Sequence, residues 1–448
     1  MTLPRLTFAA ALLAGSTAHA APELDFLTAD DETPVALDLD GSGDLILASD
    51  ADGGDATLVR LDVLGARKAQ TRLSGAVTDL AVDRRTGHVL VADESGLTAF
   101  DPGFVPLWRL PLPVTNLAVG EHGTVAGLAA SELHILDEHG RTRSVVDPGF
   151  AARDLAVLDA AGLVAVTGSL PCAGLDSLAL AAFDHTGAAR WMAHGDREEC
   201  DTAARGVALS RGDDGQLYLL AEVDGRLPAY LRARATVVID GYTDPETANP
   251  AQAAYYARFT ADGIHQLGQM FSLPAEGSVV RPTAISADEH GNVFLVGTTS
   301  HSLGAADEGA VTAALDAAAA FYQVVDPDLE YRRVWHLIEA DGMTTRLGAL
   351  AHAGDRVVAI LHAAPLPGST SQTDHLLPVG PTILVWPDDH GPLDAEKRPN
   401  PDTQGTFGYE SGVSGSDPTC YCSAPAIPTP AALLSLGLVG LTLRRRKR

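Results

Sequence analysis

The sequence predicts an all-β chain built as a closed ring of seven like sheets, a seven-bladed β-propeller. Three observations predict it. An apolar hairpin recurs seven times, a second hairpin follows each first one, and long runs with helical spacing are lacking. The first hairpins read ALDLDGSGDLILAS (36–49), LAVDRRTGHVLVAD (80–93), LAVGEHGTVAGLAA (117–130) and LAVLDAAGLVAVTG (155–168). They continue as VALSRGDDGQLYLLAE (207–222), AISADEHGNVFLVGT (284–298) and ALAHAGDRVVAILHA (349–363). Each pairs apolar runs across a turn, at Gly43, Gly87, Gly123, Gly162, Gly215, Gly291 and Gly354. Glycine suits these places because a tight hairpin needs a residue with positive φ.

The second hairpin is marked by an apolar residue, usually Asp, and a Gly or Pro turn. Its copies are RLDVLG (60–65), AFDPG (99–103), ILDEHG (135–140), AFDHTG (182–187), RFTADG (258–263), VVDPD (324–328) and VWPDDHG (385–391). Two hairpins give four strands per repeat, and about 53 residues per repeat is near propeller blade length. One stretch, Val311 to Phe321, has helical apolar spacing instead. An open array of sandwiches is the rival architecture; radial closure is favoured because it removes most exposed strand edges.

The sixth repeat, DEHGNVFLVGTTSHSLG (288–304) with FYQVVDPDLEYRRVWHL (321–337), resembles the bacterial SBBP-type propeller repeat. The fifth, GQLYLLAEVDG (215–225), ATVVIDG (235–241) and AAYYARFTADG (253–263), is similar with a longer insertion. That resemblance implies a propeller outside the cytoplasm and little about activity. Inserts are expected near 226–254 and 299–320, and insertions in propellers often carry binding. Arg226, Tyr230, Arg232, Arg234, Tyr242 and Tyr255 give the fifth insert an aromatic and basic character. The alternative is a loop that packs over its own blade.

Both ends read as targeting segments. Arg5, the apolar run Leu6 to Ala14, and Ala18-His19-Ala20 form a secretory signal peptide over residues 1–20, with cleavage after Ala20. Residues 21–391 make the propeller. Residues 392–423 are rich in Pro, Gly, Ser, Thr and Asp, without apolar periodicity, and read as a flexible stalk. Residues 424–448 hold Pro428-Thr429-Pro430, an apolar run from Ala431 to Leu443, and the basic end Arg444, Arg445, Arg446, Lys447 and Arg448. The run is shorter than the roughly twenty residues of a spanning helix. It suits a short hydrophobic sorting helix that pauses in the membrane with its basic end cytoplasmic. An ordinary single-pass tail anchor is the alternative. This tail resembles the tripartite sorting signals of Gram-negative bacteria. Pro428-Thr429-Pro430 is similar to the PEP-CTERM motif, with Thr429 in place of the acid. Cys420-Tyr421-Cys422 is similar to the cysteine motif of the MYXO-CTERM class. The resemblance implies an envelope sorting protease as partner and a place at the cell envelope or surface.

Composition narrows the function classes. Six of the 31 basic residues lie in the two end segments, leaving 25 against 58 acids, a net of −33 for the body. That balance argues against nucleic acid, which needs a positive surface, and against binding to anionic lipid. Of four cysteines, Cys172 and Cys200 lie in the body. In an oxidising compartment they are a plausible disulfide, contributing about 3 kcal/mol on the chain-entropy model. A catalytic thiol is the other reading, without a motif around either residue.

Asp38, Asp40, Ser42 and Asp44 have the alternating-oxygen spacing of calcium loops. The six equivalent hairpins lack these acids, and position twelve is Ser49 where an EF-hand has Glu. Structural turn and calcium staple both stay open. No other cofactor is expected. Of the 15 histidines, His122, His139, His185, His290 and His390 sit in turns. Turn chemistry comes first for those, and structural placement for His336, His352 and His362. No catalytic motif stands out. The expectation is a non-enzymatic surface binding or adhesion module for an extracellular protein or glycan ligand. A propeller enzyme (lyase, lactonase or quinoprotein type) and a structural envelope component are the alternatives.

Overall fold

The computed structural model describes residues 33–50, 54–194, 203–212, 215–225, 252–271, 279–288, 291–300, 318–325, 333–338, 343–354, 356–365 and 380–387. The signal peptide, stalk and sorting tail lie outside the described residues. Among those described, no helix is long and apolar enough to cross a membrane.

The first sheet is a four-stranded antiparallel meander of β1 (Thr33–Leu39), β2 (Leu45–Asp50), β3 (Asp55–Leu61) and β4 (Arg67–Ser74), in that spatial order. Residues 77–110, 116–146, 151–194, 204–271 and 280–338 give five more four-stranded meanders. The seventh has three strands among the described residues, β25 (Met343–Ala353), β26 (Arg356–Pro365) and β27 (Gly380–Pro387). The turn expected at 385–391 leaves the described residues after Pro387.

All seven anticipated hairpin glycines have left-handed backbones, with φ from +58° at Gly354 to +83° at Gly123. The second hairpins follow suit at Gly65, Gly140, Gly187 and Gly263, but the second sheet differs. There the left-handed residue is Phe104 (φ 66°), not Gly103. Phe104 N–H closes the turn onto the Asp101 carbonyl at 2.9 Å. The ring is held by its burial: Phe104 is 5 % exposed, and the Arg60 guanidinium lies 6.0 Å from the ring centroid. The helical reading of Val311 to Phe321 fails over its described part. Residues 318–321 belong to β23 (Ala318–Val325), where Ala319, Ala320 and Phe321 are buried. Alanines there pack flush between sheets, so spacing alone misled.

The core is not one mass but seven, one at each seam between adjoining sheets. The seventh decides the architecture. Leu37, Leu39, Leu45 and Leu47 of the first sheet pack against Ala351, Val358, Ile360 and Ile383 of the last. Arg356 Nη1 then donates to the Gly43 carbonyl at 2.7 Å across the same seam. The ring is closed. The chain is a seven-bladed β-propeller.

Candidate functional site

The first strand of each sheet lines the axis of the ring: β1, β5 (Val77–Asp83), β9 (Asn116–Val119), β13 (Ala151–Leu158), β17 (Ala204–Arg211), β21 (Val280–Ala287) and β25. Together they enclose a channel of about 550 Å³. Six of these strands carry a β-bulge near their start, as between Val77 and Asp79, Ala152 and Asp154, and Gly206 and Ala208. A bulge turns the strand and re-aims the next side chain. In the second and fourth blades that next residue is Asp79 and Asp154; in the third, the matching position is Asn116.

Each channel carboxyl reaches the neighbouring blade. Asp79 accepts from its own Leu80 N–H at 2.8 Å and from Leu117 N–H, one blade on, at 2.7 Å. Asp154 accepts from Leu209 N–H of the fifth blade at 2.7 Å. Asp38 accepts from Leu39 N–H at 2.7 Å and from Val82 N–H of the second blade at 2.9 Å. All three are half-buried in the channel wall. That burial pushes the carboxyls of Asp79 and Asp154 up to about 7, against the pull of the amide hydrogen bonds. It raises Asp38 too, with Arg84 opposing the shift.

The two mouths differ. The bulged starts of the inner strands open on the side where connections run from blade to blade. On that side too the chain leaves and returns between β18 (Leu217–Asp224) and β19 (Gln252–Phe259), between β22 (Val293–Ser300) and β23, and between β26 and β27. At the inner-hairpin mouth, arginines brace across the ring. Arg211 of the fifth blade pairs with Glu121 of the third at 2.6 Å, and Arg84 of the second donates to the His352 carbonyl of the seventh.

The four proposed calcium ligands do not stay together. Asp38 faces the channel. Asp40 Oδ1 accepts from Ser42 N–H, Ser42 Oγ and Asp44 N–H at 2.7 to 3.0 Å, which closes the turn. Its other oxygen holds Arg60 at 2.8 Å, and Asp44 holds Lys68 at 2.8 Å. The same device recurs in the sixth blade, where Asn292 N–H donates to Asp288 Oδ1 at 2.7 Å. Among the described residues no group of three or more His, Cys, Asp or Glu converges as a metal cage. Cys172 is buried in β14 (Leu163–Cys172), while Cys200 lies outside the described residues. So do Ala20, Cys420, Cys422, Pro428, Pro430, Arg444, Arg445 and Arg446. Tyr255, assigned to the fifth insert by sequence, is instead core: it is 1 % exposed in β19. The other insert residues lie outside the described ones. His352 is structural as expected, buried and stacked on Phe294 at 5.0 Å.

Sequence reading passed over Asp79, Asn116 and Asp154. A signal was present: Asp79-Leu-Ala-Val, Asn116-Leu-Ala-Val and Asp154-Leu-Ala-Val stand at the head of three successive repeats. The apolar repeat itself begins one residue later, at Leu80, Leu117 and Leu155.

No protein-family model matches the chain, and no curated protein matches it in sequence. Among solved structures it is similar to a catalytically inactive virginiamycin B lyase from Staphylococcus aureus with quinupristin. That match has 10 % identity and a TM-score of 0.46, covering 82 % of this chain and 99 % of that one. It is similar to the Cps50 (Swd1) β-propeller domain of Myceliophteria thermophila, at 13 % identity and TM-score 0.48 over 81 % and 99 % of the two chains. U3-55K matches at 10 % identity and TM-score 0.49 over 82 % and 100 %.

Proposed function

We propose that this chain is an exported, envelope- or surface-held propeller that acts as a binding or adhesion module for an extracellular protein or glycan. The observation that carries the binding reading is how the channel carboxyls are used. Asp38, Asp79 and Asp154 give their oxygens to backbone amides of the next blade, so they tie strands together. The export reading rests on the signal peptide, the stalk, the MYXO-CTERM-like or PEP-CTERM-like tail and the SBBP-like repeats. A Cys172–Cys200 disulfide and a sorting protease belong to the same reading. Two measurements test it. Terminal peptide and intact-mass analysis of protein from native cells should find residues 1–20 gone and the tail cut near Cys420 or Cys422. An intact Arg448 on a membrane-bound product overturns the sorting claim. Retention on protein or glycan arrays should be specific; uniform lack of retention overturns the binding claim.

A channel enzyme is the second reading, and one observation favours it. Carboxyls held at about 7 are poised to give or take a proton at neutral pH. On that reading Asp79→Asn and Asp154→Asn abolish turnover of a channel substrate; on the binding reading they alter stability alone.

A further inference from the structure

We infer that the channel rim between the sixth and seventh blades, on the mouth where the bulged strands start, binds a carboxylate-bearing glycan of the uronate class through Arg281 and Arg346. The inference rests on the binding reading above and names its ligand. Three successive inner strands carry an arginine at the same place. Arg205 pairs with Glu222, Arg281 with Thr298 and Arg346 with His362, each one pair outside the bulge of β17, β21 or β25.

The three are neutralised unequally. Arg205 is matched by a carboxylate: its Nε and Nη2 donate to Glu222 at 3.1 and 2.9 Å. Arg281 meets an amide instead. Its Nε donates to Gln252 Oε1 at 2.7 Å, and Gln252 Nε2 donates in turn to Asp224 Oδ1 at 3.0 Å. Arg346 stands across from His362, whose imidazole is held below its usual range by burial and then by Arg346 itself. Among the described residues neither Arg281 nor Arg346 meets a carboxylate, although acids outnumber bases 58 to 25 in the body. Both side chains are exposed.

Their backbones are pinned together. Thr283 Oγ1 donates to the Leu347 carbonyl at 2.7 Å, and Ala320 N–H donates to Thr345 Oγ1 at 2.8 Å. These bonds tie β21 and β23 of the sixth blade to β25 beside the two arginines. The Gln252 contact uses only Nε of Arg281, so both terminal amino groups form an oriented fork, the geometry that matches a carboxylate.

The ligand class follows from the surroundings. The acidic body repels a densely charged polyanion. A peptide needs apolar anchors, and among the described residues every exposed large apolar side chain lies in blades one to five. Around the arginines stand Gln252, Thr298 and His362, groups that suit hydroxyls. A sugar acid supplies one carboxylate among hydroxyls.

Isothermal titration of the full chain tests it, with tetrasaccharides of glucuronate, galacturonate and mannuronate and their carboxyl-reduced forms. At least one uronate should bind with Kd below about 1 mM, and its reduced form about tenfold more weakly. Arg281→Gln and Arg346→Gln should each weaken binding about tenfold with the melting temperature unchanged, and Gln252→Ala about threefold. Arg72→Gln removes the same charge from an exposed place on β4 and should change nothing. No uronate binding below about 1 mM, equal binding of the reduced form, or an equal loss in Arg72→Gln overturns the site. An acidic peptide that binds more tightly, with the same dependence on both arginines, overturns the glycan assignment. Uronate failure beside specific array retention of another ligand sinks this inference alone; uniform lack of retention sinks the binding reading with it.

Discussion

In the first four blades the second and third strands are joined by two to four residues; in the last three they are joined by 14 to 27. The halves are also held differently. At the seams between blades one and two, two and three, and four and five the channel wall is stitched by Asp38, Asp79 and Asp154. The later blades place Ala208 and Ala284 after their inner-strand bulges, and their seams are filled by rings instead. Tyr218, Tyr255, Tyr256, Phe294 and Phe321 are among the largest fully buried side chains, and all lie in blades five and six. Tyr218 stacks on Tyr256, and Phe294 on Tyr322, within one sheet each. A stitch depends on strands held in register by short turns. An aromatic ring buries a large area wherever it lands. The half with long excursions thus relies on the less directional force.

The contrast can be broken most sharply in the aromatic half. Phe294→Ala should cost about 3–5 kcal/mol, since the ring is fully enclosed in the core between blades six and seven. Denaturant unfolding measures it; a loss below about 1 kcal/mol would mean the aromatics are filler. In the stitched half the probe is pH. Both Asp79 and Asp154 sit at about 7 in the folded chain, above the usual range of an unfolded carboxyl. Between about pH 4 and 7 the folded state therefore keeps protons that the unfolded state has lost. Their destabilising charge is absent below that window and complete above it, so stability falls as pH rises through it. The Asp79→Asn, Asp154→Asn double variant should gain on wild type in melting temperature between pH 5 and 8. A constant difference across that range would show that neither carboxyl titrates there, against a folded value of about 7. The smallest effect is expected at the seam between blades six and seven. There Thr283 Oγ1 donates to the Leu347 carbonyl at 2.7 Å. Thr283→Val should cost about 1 kcal/mol, and no measurable loss would reduce that contact to a bystander.

Local chemistry was legible in the sequence, and remote chemistry was not. Turn glycines announce themselves because a positive φ excludes most other residues, and all seven stand where the repeat put them. Phe104 escaped the rule because its backbone is held by distant packing under Arg60, not by its own preference. The acidic loop at Asp38 to Asp44 looked like a cation site because its neutralising partners are Arg60 and Lys68, on β3 and β4, beyond any local spacing. The channel aspartates find their amide partners 38 to 55 residues away. Nothing within one repeat reveals which neighbour it will meet.

Closure of the ring also sets an order of events. The seam that joins first and last blades brings Leu37 and Leu39 against Val358 and Ile360, more than 300 residues later in the chain. A nascent chain can complete the five seams among the first six blades while this one waits, with the first sheet's leucines uncovered until residues 343–387 arrive. The ring is therefore finished by its last-made part. A chain stopped before that point is an open arc with two apolar ends, a form suited to sticking to its own kind.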